Sequence, residues 1–394
     1  MQSSIQPLKG IRVVEFSHMV MGPATGLILA DLGAEVIKIE PLKGDNTRRL
    51  KGSGAGYFPM YNRNKKSLCV DLHTEQGLKL VTDLVATADV VIENFRPGAL
   101  VQHGLDYESL SARQPGIVYC SLKGFLSGPY AHRTALDEVA QMMGGLAYMT
   151  GLPDKPMRAG SSVIDITGAM FGVIGILAAL QEKQHTGLGK MVQSALFETT
   201  AFMVGQHIAQ GAISGVEPPP MSVRQSAWGV YDSFTTADNE KVFVAVVSDT
   251  QWRKFCEAFD LTDFAMDDKL ATNGGRFDHR NIIIPKLTVV FAQMPTATLM
   301  QKLDTIGLPY APVNKPMDLV TDPHLNDGGL VDIELENGKR IKLPALPIEM
   351  NQQKFGLRHN PPRESESAQQ LLSAMGYSDD QIHQLIADNV IRGD

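Results

Sequence analysis

Cysteine is scarce in this sequence. The 394 residues include only Cys69, Cys120 and Cys256, which lie far apart with no paired spacing. This pattern excludes a cysteine-rich metal site, so we expect no bound metal, and it is typical of a reducing compartment. The first ten residues also lack the apolar core of a secretory signal. We therefore expect a cytoplasmic protein.

The chain has no excess of basic residues either. Lys and Arg number 36 against 43 for Asp and Glu, which gives a net charge of −7 and a pI near 5.8. This balance argues against nucleic acid or an anionic membrane as the main partner, although a local basic cluster could still hold a phosphorylated ligand. The sequence contains no low-complexity segment and no repeat of fixed period.

Glycine-rich nucleotide motifs are also missing. The run Gly-Ser-Gly-Ala-Gly at 52–56 follows a charged stretch and leads into Tyr-Phe-Pro, whereas the dinucleotide fingerprint requires a strand before it and a helix after it. The first predicted strand-to-helix turn has one glycine where that fingerprint needs three. These absences argue against a nicotinamide cofactor, and no P-loop is present.

Strand and helix patterns do alternate along the first third of the chain. Strands are predicted at 11–16, 35–40, 67–71, 89–93 and 117–121, and helices at 24–32, 75–87 and 106–113. This alternation predicts an α/β fold with a parallel sheet covered on both faces. Because ligands bind beyond the carboxyl ends of such strands, we expect a site near residues 18–21, 94–96 and 123–125.

The length exceeds the ~250–300 residues at which a single core stops growing, so two domains are expected. A triple proline at 218–220 indicates a linker over 209–224 after a first part of the large domain at 1–208. Paired strands and helices predict a small α+β domain at 225–310. A return linker at 311–328 then leads to a ribbon and two amphipathic helices at 329–394, the second part of the large domain.

One ionisable residue, Asp165, begins an otherwise apolar run. Residues 166–180 suffice for a buried helix of about four turns and are too few to cross a bilayer, which takes ~20 residues. Gly168, Gly172 and Gly175 recur at helical spacing, which predicts close packing against that face.

Asp165 allows two interpretations that are compatible with each other. It could cap the helix, its carboxylate accepting hydrogen bonds from the first free amides. Alternatively, a carboxylate kept ionised by the helix dipole and sheltered from water is a candidate nucleophile.

Several segments occur in a fixed order along nearly the whole chain. They are Leu8-Lys-Gly-Ile-Arg-Val-Val, Gly22-Pro23, Asp31-Leu-Gly-Ala-Glu-Val-Ile-Lys-Ile-Glu-Pro, Gly44-Asp45, Arg48, Asn62-Arg-Asn-Lys-Lys-Ser, Glu93-Asn-Phe-Arg-Pro-Gly, Thr150-Gly-Leu-Pro-Asp, Asp165 with Gly168, and Pro312-Val-Asn. Together they resemble the class III CoA-transferases, a family that includes formyl-CoA transferase and carnitine CoA-transferase.

The resemblance implies a Rossmann-like large domain built from both termini, a small domain, and a homodimer of two interlocked rings. It places the nucleophile at Asp165 and makes coenzyme A a substrate and product, with no tightly bound cofactor. Carboxylate chemistry suits this role, because attack on an acyl-CoA stores the thioester's energy as a mixed anhydride. CoA thiolate then forms an aspartyl-CoA thioester, which the acceptor carboxylic acid attacks.

The resemblance also implies binding residues. Val20 and Met21 match the contact to the thioester end of CoA, and Val20 replaces a polar residue of some members. Asp137 matches an acidic position beside the active site, or it could cap its own helix. Gln102 and Thr134 stand where relatives have basic residues, which Lys43 and Arg133 are near enough to replace. The positions matched to CoA binding are Lys43, Val70, Asp71, Leu72, His73, Asn94, Phe95, Arg96, Gln102 and Arg133.

Two other functions remain open. An α-methylacyl-CoA racemase on the same fold would need an acid/base pair, but Leu136 stands where racemases have a histidine. A non-catalytic acyl-CoA-binding protein would gain nothing from a buried anion at Asp165. The donor and acceptor acids are not identified by the sequence. Arg224 could pair with the far carboxylate of a dicarboxylic acid, or form a salt bridge at the rim.

The charged run at 62–66, Asn-Arg-Asn-Lys-Lys, is interpreted as a solvated segment, the more common role of such runs.

Overall fold

The computed structural model describes residues 5–223 and 226–393. It divides into two compact units, one comprising Met1–Ser222 with Asp322–Asp394 and the other Val223–Thr321. The first unit thus draws on both ends of the chain. Residues 209–214, assigned above to a linker, instead belong to a helix that ends at Ser214, just before the triple proline.

The strands are β1 Arg12–Phe16, β2 Glu35–Glu40, β3 Lys65–Cys69, β4 Val90–Glu93, β5 Val118–Lys123, β6 Met191–Ala195, β7 Val230–Thr235, β8 Lys241–Val246, β9 Tyr310–Pro312, β10 Leu330–Glu334, β11 Arg340–Pro344, β12 Glu349–Met350 and β13 Gln353–Lys354.

The α-helices are α1 Met21–Asp31, α2 Tyr57–Tyr61, α3 Glu75–Val85, α4 Tyr107–Arg113, α5 Asp137–Met143, α6 Leu146–Thr150, α7 Val163–Thr186, α8 Leu196–Met203, α9 Gly205–Ser214, α10 Asp249–Ala258, α11 Thr262–Ala265, α12 Asn273–Asp278, α13 Arg280–Phe291, α14 Thr296–Thr305, α15 Pro323–Asn326, α16 Ala368–Ala374 and α17 Asp379–Ala387.

The first unit is built on a six-stranded parallel sheet in the order β3-β2-β1-β4-β5-β6. The α/β fold predicted from the alternation is confirmed, although β6 was not predicted. Adjacent residues of β1 point to opposite layers: Val14 packs with α3, α4, α16 and α17, whereas Val13 packs with α1 and α7. Helices therefore cover both faces, and most residues of the strands are buried.

The glycine face of α7 allows a close approach to the sheet and to α1. A Cβ added to Gly168 would lie 2.5 Å from Met21 Cε, one on Gly172 2.9 Å from Leu122 Cδ2, and one on Gly175 2.4 Å from Val192 Cγ1. The predicted close packing is thus confirmed at all three positions.

Helix α7 is longer than expected, with 24 residues, so the argument from shortness was wrong. By length and composition alone it could span a membrane. This is weak evidence for a membrane-spanning segment, because a core helix of this kind meets the same criterion. Its polar last turns carry Lys183 and His185 and end at Gly187, which has a left-handed φ of 73°. This ending is typical of a helix C-terminus, where glycine tolerates positive φ.

The second unit has a three-stranded antiparallel sheet, β7-β8-β9, as the paired-strand pattern indicated for its first two strands. Trp252, Phe255 and Phe291 form much of its buried core together with the strand residues.

Candidate active site

Two cavities open at the carboxyl edge of the six-stranded sheet. One, of about 390 Å³, is lined by residues that follow β1, β4 and β5 and includes Asp165; we refer to it as the carboxylate cavity. The other, of about 530 Å³, is lined mainly by residues that follow β2, β3 and β4; we refer to it as the outer cavity. Phe95 lines both. They lie at the point where strand order reverses between β1 and β4, the usual binding place in such sheets.

The residues assigned from the resemblance fall into these two groups. Those in the carboxylate cavity are Val20, Met21, Asn94, Phe95, Arg96, Arg133, Asp137 and Asp165. Those in the outer cavity are Lys43, Val70, Asp71, Leu72, His73, Phe95 and Gln102. Arg224 lies outside the described residues.

Asp165 does not cap its helix, contrary to one of the two interpretations above. The N-cap is Ser162, and Asp165 is the third residue of α7. Asp137 takes the capping role from another helix: its Oδ2 accepts hydrogen bonds from the backbone N–H of Ile164 at 2.9 Å and of Asp165 at 3.1 Å. Asp137 is the first residue of α5, whose N-cap is Leu136, so it does not cap its own helix either.

The Asp137 carboxylate is held on its other side as well. Its Oδ1 accepts hydrogen bonds from Gln141 Nε2 at 2.5 Å and from Arg158 NH2 at 3.2 Å. Gln141 is fully buried, and its Oε1 accepts a hydrogen bond from the backbone N–H of Ala159 at 2.8 Å. These contacts fix an anion directly beneath the start of α7, where the helix dipole also favours negative charge.

The surroundings of Asp165 disfavour its ionised form. Burial, followed by the negative charge of Asp137, raises its pKa to about 7, and the Arg158 guanidinium opposes this only in part. The expectation that the helix end would keep Asp165 ionised was therefore wrong, because Asp137 already occupies the helix N-terminus. Tyr61 shares this apolar region, and burial together with the charge of Asp165 raises its pKa to about 12. A carboxylate with poor solvation is a stronger nucleophile once it is ionised.

Residues 18–21 line the carboxylate cavity together with Asp165 and belong to the segment 17–23, called here the 17–23 turn. Met19 has a left-handed φ of 64°, an uncommon conformation for a residue with a side chain. Asn94 holds His18 on both sides, since its Oδ1 accepts from His18 N–H at 3.0 Å and its Nδ2 donates to His18 O at 2.9 Å. The last three residues of this segment begin α1, whose first amides have no partner within the helix.

Arg96 and Arg133 are two of the cations of the carboxylate cavity that are available to a ligand. Among the residues that the structure describes, no carboxylate oxygen lies within 4.0 Å of Arg96 or Arg133. Arg133 lies over the ring of Tyr130, 5.0 Å from its centroid, which orients the guanidinium without neutralising it. Arg158, by contrast, is paired with Asp137 and Glu138.

The outer cavity combines apolar walls with imidazoles. Phe16, Ile39 and Val70 form apolar lining, and the rings of His73 and His103 meet edge to face at 5.6 Å. The neutral side-chain amide of Gln102 donates a hydrogen bond to the backbone carbonyl of Ala99. Gln102 therefore supplies no positive charge to this cavity. Such a cavity offers room for an aromatic base beside groups that can contact phosphate.

Sequence reasoning missed several lining residues. Tyr57, Arg158 and Ser162 border the carboxylate cavity, and His103 borders the outer one. Arg158 and Ser162 lie within seven residues of Asp165 in a segment without regular structure, where no periodic pattern marked them. The charged run at 62–66 was misread: Asn62, Arg63, Asn64 and Lys65 are buried, and only Lys66 is partly exposed.

In the described parts of the chain, no group of three or more His, Cys, Asp or Glu residues is placed to hold a metal ion.

Comparison with known proteins identifies relatives over nearly the whole chain. The sequence model of CoA-transferase family III matches residues 8–366. The chain is 35% identical to succinate–glutarate CoA-transferase of Agrobacterium fabrum, over 94% of this chain and 96% of that protein. It is 30% identical to succinyl-CoA:glutarate CoA-transferase of Mus musculus, over 98% of this chain and 91% of that one. The crystal structure of a CAIB/BAIF family protein from Brucella suis superposes with a TM-score of 0.83, at 34% identity, over 94% of this chain and all of that one.

Proposed function

The chain belongs to CoA-transferase family III, and from this membership we propose that it transfers CoA between carboxylic acids through a covalent intermediate on Asp165. The resemblance stated from the sequence is therefore confirmed, and the protein is an enzyme that uses CoA thioesters. The single observation that carries the proposal for Asp165 is its place in the carboxylate cavity, poorly solvated and with a pKa raised to about 7.

The proposed reaction has four steps. The Asp165 carboxylate attacks the acyl carbon of the donor thioester, the C–S bond breaks, and CoA leaves as thiolate. The thiolate then attacks the Asp165 carbonyl of the mixed anhydride, which releases the donor acid and forms aspartyl-CoA. The acceptor carboxylate attacks this thioester, and the thiolate finally attacks the acceptor's acyl carbon, which restores the Asp165 carboxylate.

Each step passes through an oxyanion that requires hydrogen-bond donors. The first amides of α1, beside Val20 and Met21, offer such donors at the wall of the same cavity. CoA is proposed to extend from there past Phe95 into the outer cavity, where Lys43, His73 and the 70–73 segment would receive its nucleotide end. Phe95 supports this route, since it lines both cavities.

A short dicarboxylic acid is the proposed acid substrate. The two curated relatives described above are named for succinate and glutarate. Arg96 and Arg133, which no carboxylate neutralises among the described residues, support this choice because a second carboxylate needs a cation in a cavity of limited hydration. The racemase alternative is weakened by Leu136, whose apolar side chain borders the cavity and carries no exchangeable proton.

The interlocked homodimer is proposed as well. Helices α7 to α9 carry exposed apolar side chains that a second copy of the chain would cover. They include Met170, Ile174, Phe202, Ile208 and Ile213, with exposed fractions between 50% and 87%.

Trapping the intermediate tests the role of Asp165. The protein is incubated with succinyl-CoA, quenched with hydroxylamine or borohydride, and digested for mass spectrometry. We expect an adduct on Asp165, and we expect Asp165→Asn to lower kcat by ~10³-fold or more. Glu138→Gln is the control, because this more exposed carboxylate borders the same cavity but is not proposed to react. An unmodified Asp165 together with an active Asp165→Asn variant would refute the mechanism.

A further inference from the structure

Four charged side chains are buried together beneath the 17–23 turn. Glu15 on β1 and Lys38 on β2 have no exposed surface, Lys65 on β3 is 2% exposed, and Asp45 is 5% exposed. We refer to these four residues as the buried charge cluster. Its two cations and two anions balance, and the proposed chemistry uses none of them.

Lys65 joins the cluster to the end of the turn. Its ammonium lies 2.8 Å from Glu15 Oε2 and donates a hydrogen bond of 2.8 Å to the backbone carbonyl of Pro23. Helix α1 approaches this pair so closely that a Cβ on Gly26 would lie 1.7 Å from Glu15 Oε2. Glycine at position 26 therefore allows the buried pair to lie directly beneath α1.

Lys38 joins the cluster to the beginning of the turn. Its ammonium donates a hydrogen bond of 2.6 Å to the backbone carbonyl of Ser17 and lies 3.1 Å from Asp45 Oδ2. Ser17 also donates its hydroxyl to Glu15 Oε1 at 2.6 Å. The two buried lysines thus hold backbone carbonyls at opposite ends of the same short segment.

Asp45 connects the cluster to the middle of the turn. Its Oδ1 accepts hydrogen bonds from the N–H and the hydroxyl of Thr47, at 2.9 and 2.8 Å. Thr47 Oγ1 in turn accepts a hydrogen bond from the backbone N–H of Met19 at 2.9 Å. This series of hydrogen bonds ends at Met19, the residue with the left-handed φ, where the backbone would otherwise relax most readily.

We propose that the buried charge cluster positions the 17–23 turn for CoA transfer, with Lys38 and Lys65 acting as positioning residues that do not touch the substrate. The inference rests on the proposed function, because it assumes that the acyl group meets Val20, Met21 and the first amides of α1. Fixing these amides against Asp165 sets the distance at which the oxyanion forms. A displacement of about 1 Å in such a site lowers the rate by up to ~10²-fold.

Protonation of Lys65 provides a second readout. Burial lowers its pKa to about 8, and the nearby charge of Lys38 adds to this effect while Glu15 and Asp45 oppose it. Among the other groups near the cluster, the negative charge of Glu40 contributes to the raised pKa of Lys38, which burial opposes. The pKa of His18 is lowered by burial and by the charge of Lys38, whereas the charge of Asp45 opposes this effect. Loss of the Lys65 proton would remove the charge that pairs with Glu15 and one of the three N–H donors, which weakens the hold on the Pro23 end of the turn.

The test removes one buried pair without leaving a lone charge. In the double variant Glu15→Gln with Lys65→Met, we expect kcat to fall by about 10–100-fold and adduct formation on Asp165 to slow in proportion. The rate of the unaltered enzyme should also fall above about pH 8, and this alkaline decline should be absent from the double variant.

The matched control is the neighbouring pair Glu35 and Lys66, which also lies 2.8 Å apart but is partly exposed. Glu35→Gln with Lys66→Met should leave kcat within about twofold and retain the alkaline decline. If the Glu15/Lys65 variant does not fold, Thr47→Val replaces it, since this change alters no charge. It removes the acceptor for Met19 N–H together with the hydroxyl's hydrogen bond to Asp45 Oδ1, and it should lower kcat by about tenfold.

The result that overturns the inference is a folded Glu15/Lys65 variant, or Thr47→Val, that labels Asp165 at the wild-type rate. An unaltered enzyme that gives no adduct on Asp165 would instead refute the proposed function. The two failures are distinguished by the wild-type labelling measurement.

Discussion

Ionised Asp165 is disfavoured by its surroundings, and this explains why two neighbouring acids have different roles. Asp137 has four hydrogen-bond donors, including two amides at the start of α7. Asp165 sits beside that anion and is partly buried, so its pKa rises to about 7. One acid is satisfied and structural, whereas the other is left poorly solvated and available to react.

The first prediction concerns the acid limb of the pH profile. Because the nucleophile must be ionised and its pKa is about 7, the single-turnover rate should rise between pH 6 and 8, with about one tenth of the plateau rate at pH 6. Asp137→Asn removes the charge that raises this pKa, so the limb should move to lower pH. An unshifted limb would contradict this account of the pKa.

Glu138→Gln is the control for this measurement. Glu138 is the next residue, with a side chain that is 58% exposed, and it is not among the groups that shift the pKa of Asp165. The acid limb of the pH profile of the Glu138→Gln variant should coincide with that of the unaltered enzyme. A shift of equal size in both variants would indicate a general field effect instead of the specific contact between Asp137 and the start of α7.

At the scale of elements, α7 connects Asp165 to the sheet. Its three glycines allow close contacts with Met21, Leu122 and Val192, and the first of these lines the carboxylate cavity. The same packing that builds the core therefore sets the position of Asp165 relative to the 17–23 turn.

The second prediction tests this packing. In Gly175→Ala the new methyl group would lie 2.4 Å from Val192 Cγ1, so helix and strand must separate, and the free energy of unfolding should fall by about 1–3 kcal/mol despite alanine's higher helix propensity. Chemical denaturation measures the change. Gly205→Ala at the start of α9 is the control, because no atom lies within 4 Å of its added Cβ; it should be neutral or slightly stabilising. Equal stability of the two variants would argue against close packing at Gly175.

At the scale of the whole molecule, the exposed side of α7 is the main unexplained surface. Met170 and Ile174 are 50% and 59% exposed, and the neighbouring α8 presents Phe202 at 73%. Apolar side chains grouped in this way are typical of a surface that another protein covers.

The third prediction concerns assembly. Ile174→Glu places a charge in the proposed contact between two copies, and we expect it to shift the protein from dimer to monomer in analytical ultracentrifugation. Gln181→Glu adds the same charge on the same helix without removing apolar surface, and it should remain dimeric. A monomeric unaltered protein, or an Ile174→Glu variant that remains dimeric, would contradict the proposed interface.

Much of the architecture followed from the sequence. The alternation of largely apolar strands and amphipathic helices was enough to predict the parallel sheet, because burial on both faces favours mostly apolar strands. The ends of three strands pointed to the carboxylate cavity for the same reason, since parallel strands end at one edge. Asp165 was identifiable as the single ionisable residue at the start of an apolar run.

Only the tertiary structure decided how the charges are used. The sequence cannot show that Asp137 caps α7, which begins 26 residues further along, or that Lys65 of the charged run lies beneath the 17–23 turn. Both contacts join residues that are distant in the chain. Periodicity reports which faces are buried, whereas the pairing of buried charges depends on which strands become neighbours. That arrangement made Asp137 the cap of α7, left Asp165 as the candidate nucleophile, and buried an apparently solvated segment beneath the 17–23 turn.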